Sequence, residues 1–156
     1  MTFASTLSYV VLAITATVLL YAAIIDFREF QIANEFIIIL VCLFAAHTWL
    51  SGGWTQLHWN LAFAVFMFLV LLFFYARNWL GGGDVKILTV AFLWVGIHYA
   101  LIFAIFLALF SCVYLLGARL GWLRVQKIKG RNRIPFAPSV AAALIVTFAL
   151  AARWSL

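Results

Sequence analysis

Residues 3–25 form a run of 23 residues without a charged side chain, and apolar runs of this kind recur along the chain. A helix that crosses the hydrocarbon core of a bilayer needs about 20 apolar residues. Over the whole chain, 69% of the residues are apolar and 9% are charged, whereas about a quarter of the residues in a soluble domain are charged. The sequence therefore excludes an ordinary soluble domain and predicts a small, all-α, polytopic membrane protein.

The apolar runs predict six helices in one domain. A single helix over residues 85–117 would be about 50 Å long, against a hydrocarbon core of about 30 Å, so we divide this run at Gly96. The first run has no basic region before it and no cleavage signal, which favours a retained helix over a removable signal peptide. The predicted helices cover residues 3–25, 36–50, 57–76, 85–95, 98–118 and 137–152, within a domain spanning residues 1–156.

Basic residues are confined to alternate connections between these helices. Arg28 follows the first helix, Arg77 and Lys86 follow the third, and six basic residues lie within 119–133, whereas the connections after the second and fourth helices have none. Because cytoplasmic loops carry the excess of Lys and Arg, we expect the odd-numbered connections in the cytoplasm and both termini on the outer side.

The chain has only four acidic residues, and this orientation places all of them on the cytoplasmic side. Asp26 ends the first predicted helix, Asp84 begins the fourth, and Glu29 and Glu35 lie in the first connection. Two carboxyl groups that meet in a low-dielectric crevice do not both ionise readily, so one holds a proton while the other acts as a base. Such a pair can activate water for attack on a peptide carbonyl, and the glycines at 81–83 let a substrate backbone approach Asp84 closely.

Each of these residues also has a purely structural interpretation. Asp84 fits the N-terminal cap of a helix, and Asp26 fits an ion pair with Arg28 or a hydrated position. Lys86 is consistent with three roles: a positive charge that orients the chain in the membrane, a partner for a carboxylate, or a contact to lipid phosphate. Glu29 and Glu35 fit a solvated loop better than a site that recruits a basic peptide.

The remaining polar residues indicate little chemistry. His47, His58 and His98 are predicted near the outer side as interfacial residues rather than catalysts. The segment 119–133 fits an interfacial helix on anionic lipid and a solvated topology loop equally well. The position of the basic residues between apolar runs argues against nucleic-acid binding. Cys42 and Cys112 stand singly and predict neither a disulfide framework nor a metal site.

Three motifs resemble those of the type IV prepilin peptidases, in order along the chain. Residues 26–34, DFREFQIAN, resemble the family segment D-x-R-x-x-x-I-P-N; residues 81–86, GGGDVK, match G-x-G-D-x-K; residues 134–138, IPFAP, resemble I-P-F-G-P. Ala33 and Ala137 stand where the family usually has Pro and Gly, and both departures affect backbone stiffness rather than the acids.

This resemblance implies a catalytic pair and a substrate. Asp26 and Asp84 would be the aspartyl protease pair that cuts the basic leader of a prepilin or pseudopilin on the cytoplasmic face of the bacterial inner membrane, with no metal or organic cofactor. The supporting motif residues would be Gly81, Gly83, Lys86, Asn34 and Arg28. Larger members carry a cysteine-bearing region and also N-methylate the product, whereas this chain looks like the short, peptidase-only form of tight-adherence (Flp) pilus systems.

Three other interpretations remain open at this stage. A small proton-coupled carrier would use the same two aspartates, but would place them near mid-membrane and commonly show an internal repeat. A non-catalytic assembly subunit would use Asp84 only as a helix cap. Within the protease class, an archaeal preflagellin peptidase shares G-x-G-D.

Overall fold

The computed structural model of the protein describes residues 3–29, 33–120, 126–128, 131–133 and 135–154. These residues form an α-helical bundle with one small β-hairpin, which confirms the predicted all-α class for the membrane-embedded part. The helices are α1 (Phe3–Glu29), α2 (Asn34–Ser51), α3 (Trp54–Ala76), α4 (Gly82–Arg119) and α5 (Ala137–Trp154); the strands are β1 (Gln126–Ile128) and β2 (Arg131–Arg133).

The helices are longer than the apolar runs that predicted them. Helix α1 continues through Asp26 to Glu29, so this aspartate lies in the last turns of the helix rather than at its end. Helix α3 begins at Trp54 instead of residue 57. Polar and interfacial residues extend a helix readily because its backbone bonds are made within the segment. Four helices of the described chain, α1 to α4, are long and apolar enough to cross a membrane, and the apolar part of α5 is shorter.

Helix α4 turns back on itself at Gly96, as the division of the apolar run predicted. Gly96 has φ 58° and ψ −171°, which is outside the helical region. The rings of Phe92 and Phe103 are 5.3 Å apart, although eleven residues of continuous helix would separate them by about 16 Å along the axis. The run therefore consists of two arms, 82–95 and 97–119, whose outer ends, at Gly82 and Arg119, point to the same end of the bundle.

The structure of the basic segment 119–133 differs from one of the two predictions made for it, the interfacial helix. Strands β1 and β2 pair antiparallel, with Lys127 opposite Asn132, so an interfacial helix through these residues is wrong. Gly130 lies between the strands in sequence, and glycine disfavours the interior of a helix. Residues 121–125 and 129–130 of the predicted lipid-binding segment lie outside the described residues.

The first arm of α4 is the centre of the bundle. Nearly every residue from Val85 to Gly96 is buried, and the indole N–H of Trp94 donates to the Leu40 carbonyl of α2 at 3.1 Å. Helix α4 packs between α3 and α5, and α1 packs between α2 and α5. The outward faces expose large apolar side chains such as Leu72 and Ile105, as expected where lipid is the solvent. The fold thus positions Asp84 at the start of its most buried arm.

Candidate active site

One end of the bundle collects most of the predicted functional residues. The end of α1, the start of α2, both outer ends of α4 and the start of α5 meet here. The Lys86 Nζ donates to Asn34 Oδ1 at 2.8 Å and so connects the N-terminal parts of α4 and α2. This contact brings together two supporting residues that are 52 positions apart in sequence.

Asp26 is buried and is held by the backbone of a distant segment. Its side chain is 5% exposed, and its Oδ2 accepts a hydrogen bond from the Ala137 N–H at 3.0 Å. The Phe136 N–H also acts on this carboxyl. The Phe136 carbonyl accepts the first bonds of α5, from Ser139 and Val140, which makes Phe136 the capping position. Phe has no side-chain oxygen, so Asp26 supplies from α1 the acceptor that the free N–H groups of α5 need.

The sequence of the last motif explains why this contact forms. Pro135 and Pro138 have no N–H group, whereas Phe136 and Ala137 between them each have one. The N-terminus of a helix also carries partial positive charge, which attracts a carboxylate. Arg28, the alternative partner for Asp26, is exposed, and no ion pair with it is found among the described residues. Asp26 therefore joins the first and third motifs, 111 residues apart.

Asp84 makes the helix-capping contact that its sequence position suggested. It is the third residue of α4, is half-buried, and its Oδ2 accepts a hydrogen bond from the Gly81 N–H at 3.2 Å. A Cβ on residue 81 would lie 2.9 Å from that oxygen, whereas one on Gly82 would make only an ordinary contact with Tyr75 at 3.5 Å. Glycine at 81 thus gives the Asp84 carboxyl room to turn back over the start of the helix.

The two aspartates lie at the same end of the bundle but on helices that are not neighbours. No Cα of α1 is within 8 Å of a Cα of α4, so those of Asp26 and Asp84 are farther apart than 8 Å. Helices α2 and α5 each contact both α1 and α4. The structure therefore places both predicted catalytic residues around α2 and α5 without placing their backbones side by side.

The other charged residues at this end lie on the surface of the bundle. Arg28, Glu29, Glu35 and Lys86 are exposed, as expected for solvated or lipid-headgroup positions. Among the described residues, no group of three or more His, Cys, Asp and Glu is arranged to hold a metal ion. The polar chemistry of this end is thus that of carboxyl groups, backbone N–H groups and one Lys–Asn contact.

Two of the predicted histidines, His47 and His98, lie elsewhere, in agreement with their predicted location away from the aspartates. His47 and His98 line a cavity of about 1210 Å³, together with Asn60 and Ser8, and the Ser8 hydroxyl is 3.0 Å from His47 Nδ1. Ser8 and Asp26 are eighteen residues apart on α1, which corresponds to about 27 Å along the helix. This cavity is therefore at the opposite end of the bundle.

Sequence reasoning missed two features near Asp26. The first is the pair of backbone donors at Phe136 and Ala137, whose only sequence signal is their position between two prolines. The second is Tyr114 on the second arm of α4. Its hydroxyl is buried with no hydrogen-bond partner among the described residues, and it lies within electrostatic range of Asp26. A tyrosine in an apolar run gives no signal of this kind by itself.

Comparison with known proteins identifies the family. The model of the type IV leader peptidase family (Peptidase_A24) matches residues 13–117, which is 105 of the 156 residues and includes both aspartates. No curated protein and no solved structure matches the chain. The family is that of the aspartic prepilin peptidases, which agrees with the resemblance of the sequence motifs. The chain belongs to the type IV leader peptidase family and is a membrane-bound aspartic prepilin peptidase.

Proposed function

We propose that the protein removes the leader peptide of Flp-type type IV prepilins or pseudopilins at the cytoplasmic face of the inner membrane, with Asp26 and Asp84 as its catalytic pair. The observation that carries this proposal is the buried Asp26 carboxyl, fixed to the start of α5 at the end of the bundle that also holds Asp84. A buried carboxyl in a membrane helix is costly, and such residues usually serve function.

The chemistry needs only the two carboxyl groups and a water molecule. One carboxylate takes a proton from water as the water oxygen bonds to the scissile carbonyl carbon, while the protonated partner donates to the carbonyl oxygen. The tetrahedral intermediate then collapses and the C–N bond breaks. The leaving amine takes the proton that the first carboxylate received from water, and the former carbonyl oxygen returns its proton to the second carboxyl. For both carboxyls to act on one peptide bond, their side chains must reach the scissile bond together from α1 and α4, which both contact α2 and α5.

The apolar surface of the bundle suits the apolar stem of a prepilin, which follows the leader peptide. A prepilin stem lying in the bilayer beside exposed apolar faces would bring the leader junction to the depth of the aspartates. No cofactor enters this mechanism, since proton transfer and water attack are both within the capacity of two carboxyls.

We also propose six membrane crossings, with both termini on the outer side. The two arms of α4 count as separate crossings, and the distribution of Arg28, Arg77, Lys86 and Arg119 at the aspartate end supports a cytoplasmic position for that end. Accessibility of single cysteines placed at residues 52 and 78 to a membrane-impermeant reagent tests this: residue 52 should react from outside and residue 78 only after lysis.

We propose that the enzyme leaves the new N-terminus unmethylated. Neither Cys42 nor Cys112 has a second cysteine nearby in sequence, in contrast to the cysteine-bearing region of the bifunctional form. Mass spectrometry of the mature pilin tests this directly, because an N-methylated terminus would be heavier by one methyl group and would contradict the proposal.

Cleavage of a co-expressed Flp prepilin tests the peptidase proposal. Wild type should convert it to the mature form, Asp26→Asn and Asp84→Asn should not, and Glu29→Gln should act as wild type. Glu29→Gln is the matched control because it makes the same acid-to-amide change on an exposed residue at the same end. Full processing by either aspartate variant would overturn the catalytic pair.

A further inference from the structure

Two buried hydroxyl groups on the second arm of α4 have no hydrogen-bond partner among the described residues. They are Ser111 Oγ and Tyr114 Oη, and their spacing of three residues puts them on one face of the helix, a turn apart. A buried polar group without a partner loses its hydration and gains nothing in exchange. A native fold that retains two such groups side by side therefore calls for an explanation.

Tyr114 is the one of the two that is nearest to the proposed chemistry. It lies five residues before the end of α4 at Arg119, and Asp26 lies three residues before the end of α1 at Glu29, so both are slightly below the same end of the bundle. Helix α5 packs against both helices, and its first residue holds the Asp26 carboxyl. The Tyr114 hydroxyl lies within electrostatic range of the Asp26 carboxyl, although the two groups are not hydrogen-bonded to each other.

The mechanism proposed above lacks a permanent donor for the carbonyl oxygen. An ionised carboxylate only accepts hydrogen bonds, and a protonated carboxyl gives up its proton during the reaction. A phenol hydroxyl is a neutral donor that stays protonated at physiological pH. In a low-dielectric site, a fixed donor aimed at the developing oxyanion strengthens as charge accumulates.

From this geometry we infer that Tyr114 is a third catalytic residue, whose hydroxyl donates a hydrogen bond to the oxygen of the scissile carbonyl as the tetrahedral intermediate forms. The inference rests on the proposed peptidase function and adds a residue to it. The hydroxyl forms no covalent bond and transfers no proton; the water, the two carboxyls and the leaving amine account for all protons.

The test compares purified wild type, Tyr114→Phe and Tyr99→Phe on one prepilin substrate. Tyr99 is the matched control because it is a half-buried tyrosine on the same arm, and it lines the cavity at the opposite end. Loss of one oxyanion donor typically lowers kcat by about 100- to 1,000-fold, and for a neutral phenol we expect roughly 10- to 100-fold in Tyr114→Phe. KM, the melting temperature and the pH profile should match those of Tyr99→Phe.

A second measurement uses two peptides that mimic the cleavage site. One carries a hydroxyethylene group in place of the scissile amide, and the other carries the same chain without the hydroxyl. Wild type and Tyr99→Phe should prefer the hydroxyl peptide roughly 10-fold or more. Tyr114→Phe should show a clearly smaller preference, because only the two carboxyls then bind the hydroxyl.

Three results would contradict the inference. The first is a kcat for Tyr114→Phe within about threefold of wild type. The second is a displaced pH profile, which would show that Tyr114 acts on Asp26 and not on the carbonyl. The third is an unchanged preference for the hydroxyl peptide. Cleavage by wild type alongside any of these would leave the proposed function intact, whereas absence of cleavage by wild type would overturn both.

Discussion

Replacing Gly96 by alanine tests the reversal of α4, on which the position of Asp84 and Tyr114 depends. The backbone conformation at Gly96, φ 58° and ψ −171°, belongs to a region that is essentially restricted to glycine and costs other residues about 1–3 kcal/mol. A Cβ there would also lie 2.8 Å from Cγ of Asn60, and displacing that carboxamide adds about 1 kcal/mol. We expect Gly96→Ala to lower the free energy of unfolding by about 2–4 kcal/mol in total.

Gly52→Ala is the matched control for this change. Gly52 also has positive φ, 67°, but a Cβ there would meet no other atom within 4 Å, so the expected cost is roughly 1–2 kcal/mol from backbone strain alone. Both variants would be unfolded in mixed micelles by increasing SDS and followed by circular dichroism. Repeating Gly96→Ala in an Asn60→Ala background should recover about 1 kcal/mol. A Gly96→Ala variant no less stable than Gly52→Ala would refute the reversal.

Three further predictions concern the aspartate end. Ala137→Pro removes the N–H that holds Asp26. Because a hydrogen bond to a charged group contributes about 1.5–3 kcal/mol, cleavage should fall roughly 10- to 100-fold. Ala137→Gly keeps the N–H and should retain activity, and equal activity of the two variants would contradict this role. Asp84→Asn keeps an oxygen for the Gly81 N–H, so its free energy of unfolding should stay near wild type while cleavage is lost. Asp84→Ala should lose cleavage and also about 1 kcal/mol of unfolding free energy. An Asp84→Ala variant that is less stable but still active would show that Asp84 is only a helix cap. Gly81→Ala should impair cleavage more than Gly82→Ala, because only the former crowds the Asp84 carboxyl, and the reverse order in an initial-rate assay would contradict the observed geometry.

The sequence predicts the helices well because charge-free runs of spanning length have few other solutions in a bilayer. It also predicts the break at Gly96, since one helix over residues 85–117 would be too long for the hydrocarbon core. The helix ends differ because residues such as Glu29 and Trp54 continue a helix beyond its apolar part.

The contacts between helices that form the site could not be predicted from the sequence in this way. Helices that are apolar on all sides carry no polar stripe to show which face packs inward, so the approach of α5 to Asp26 has no periodic signal. The role of Asn60 over Gly96 and the position of Tyr114 depend on the same packing. The short hairpin formed by Gln126–Ile128 and Arg131–Arg133 was missed because its mixed basic and apolar residues suit an interfacial helix as well.

The central claim is that Asp26 and Asp84 act together on one peptide bond, and cross-linking tests it most directly. Cysteines at 26 and 84, in a chain with Cys42 and Cys112 replaced by serine, would be treated with a short thiol-reactive linker, with and without bound prepilin. The Asn34→Cys and Lys86→Cys pair is the positive control, because those side chains are in contact at 2.8 Å. The account predicts a 26–84 cross-link that increases when prepilin is present. A control pair that cross-links while 26 and 84 do not, with or without prepilin, would contradict it.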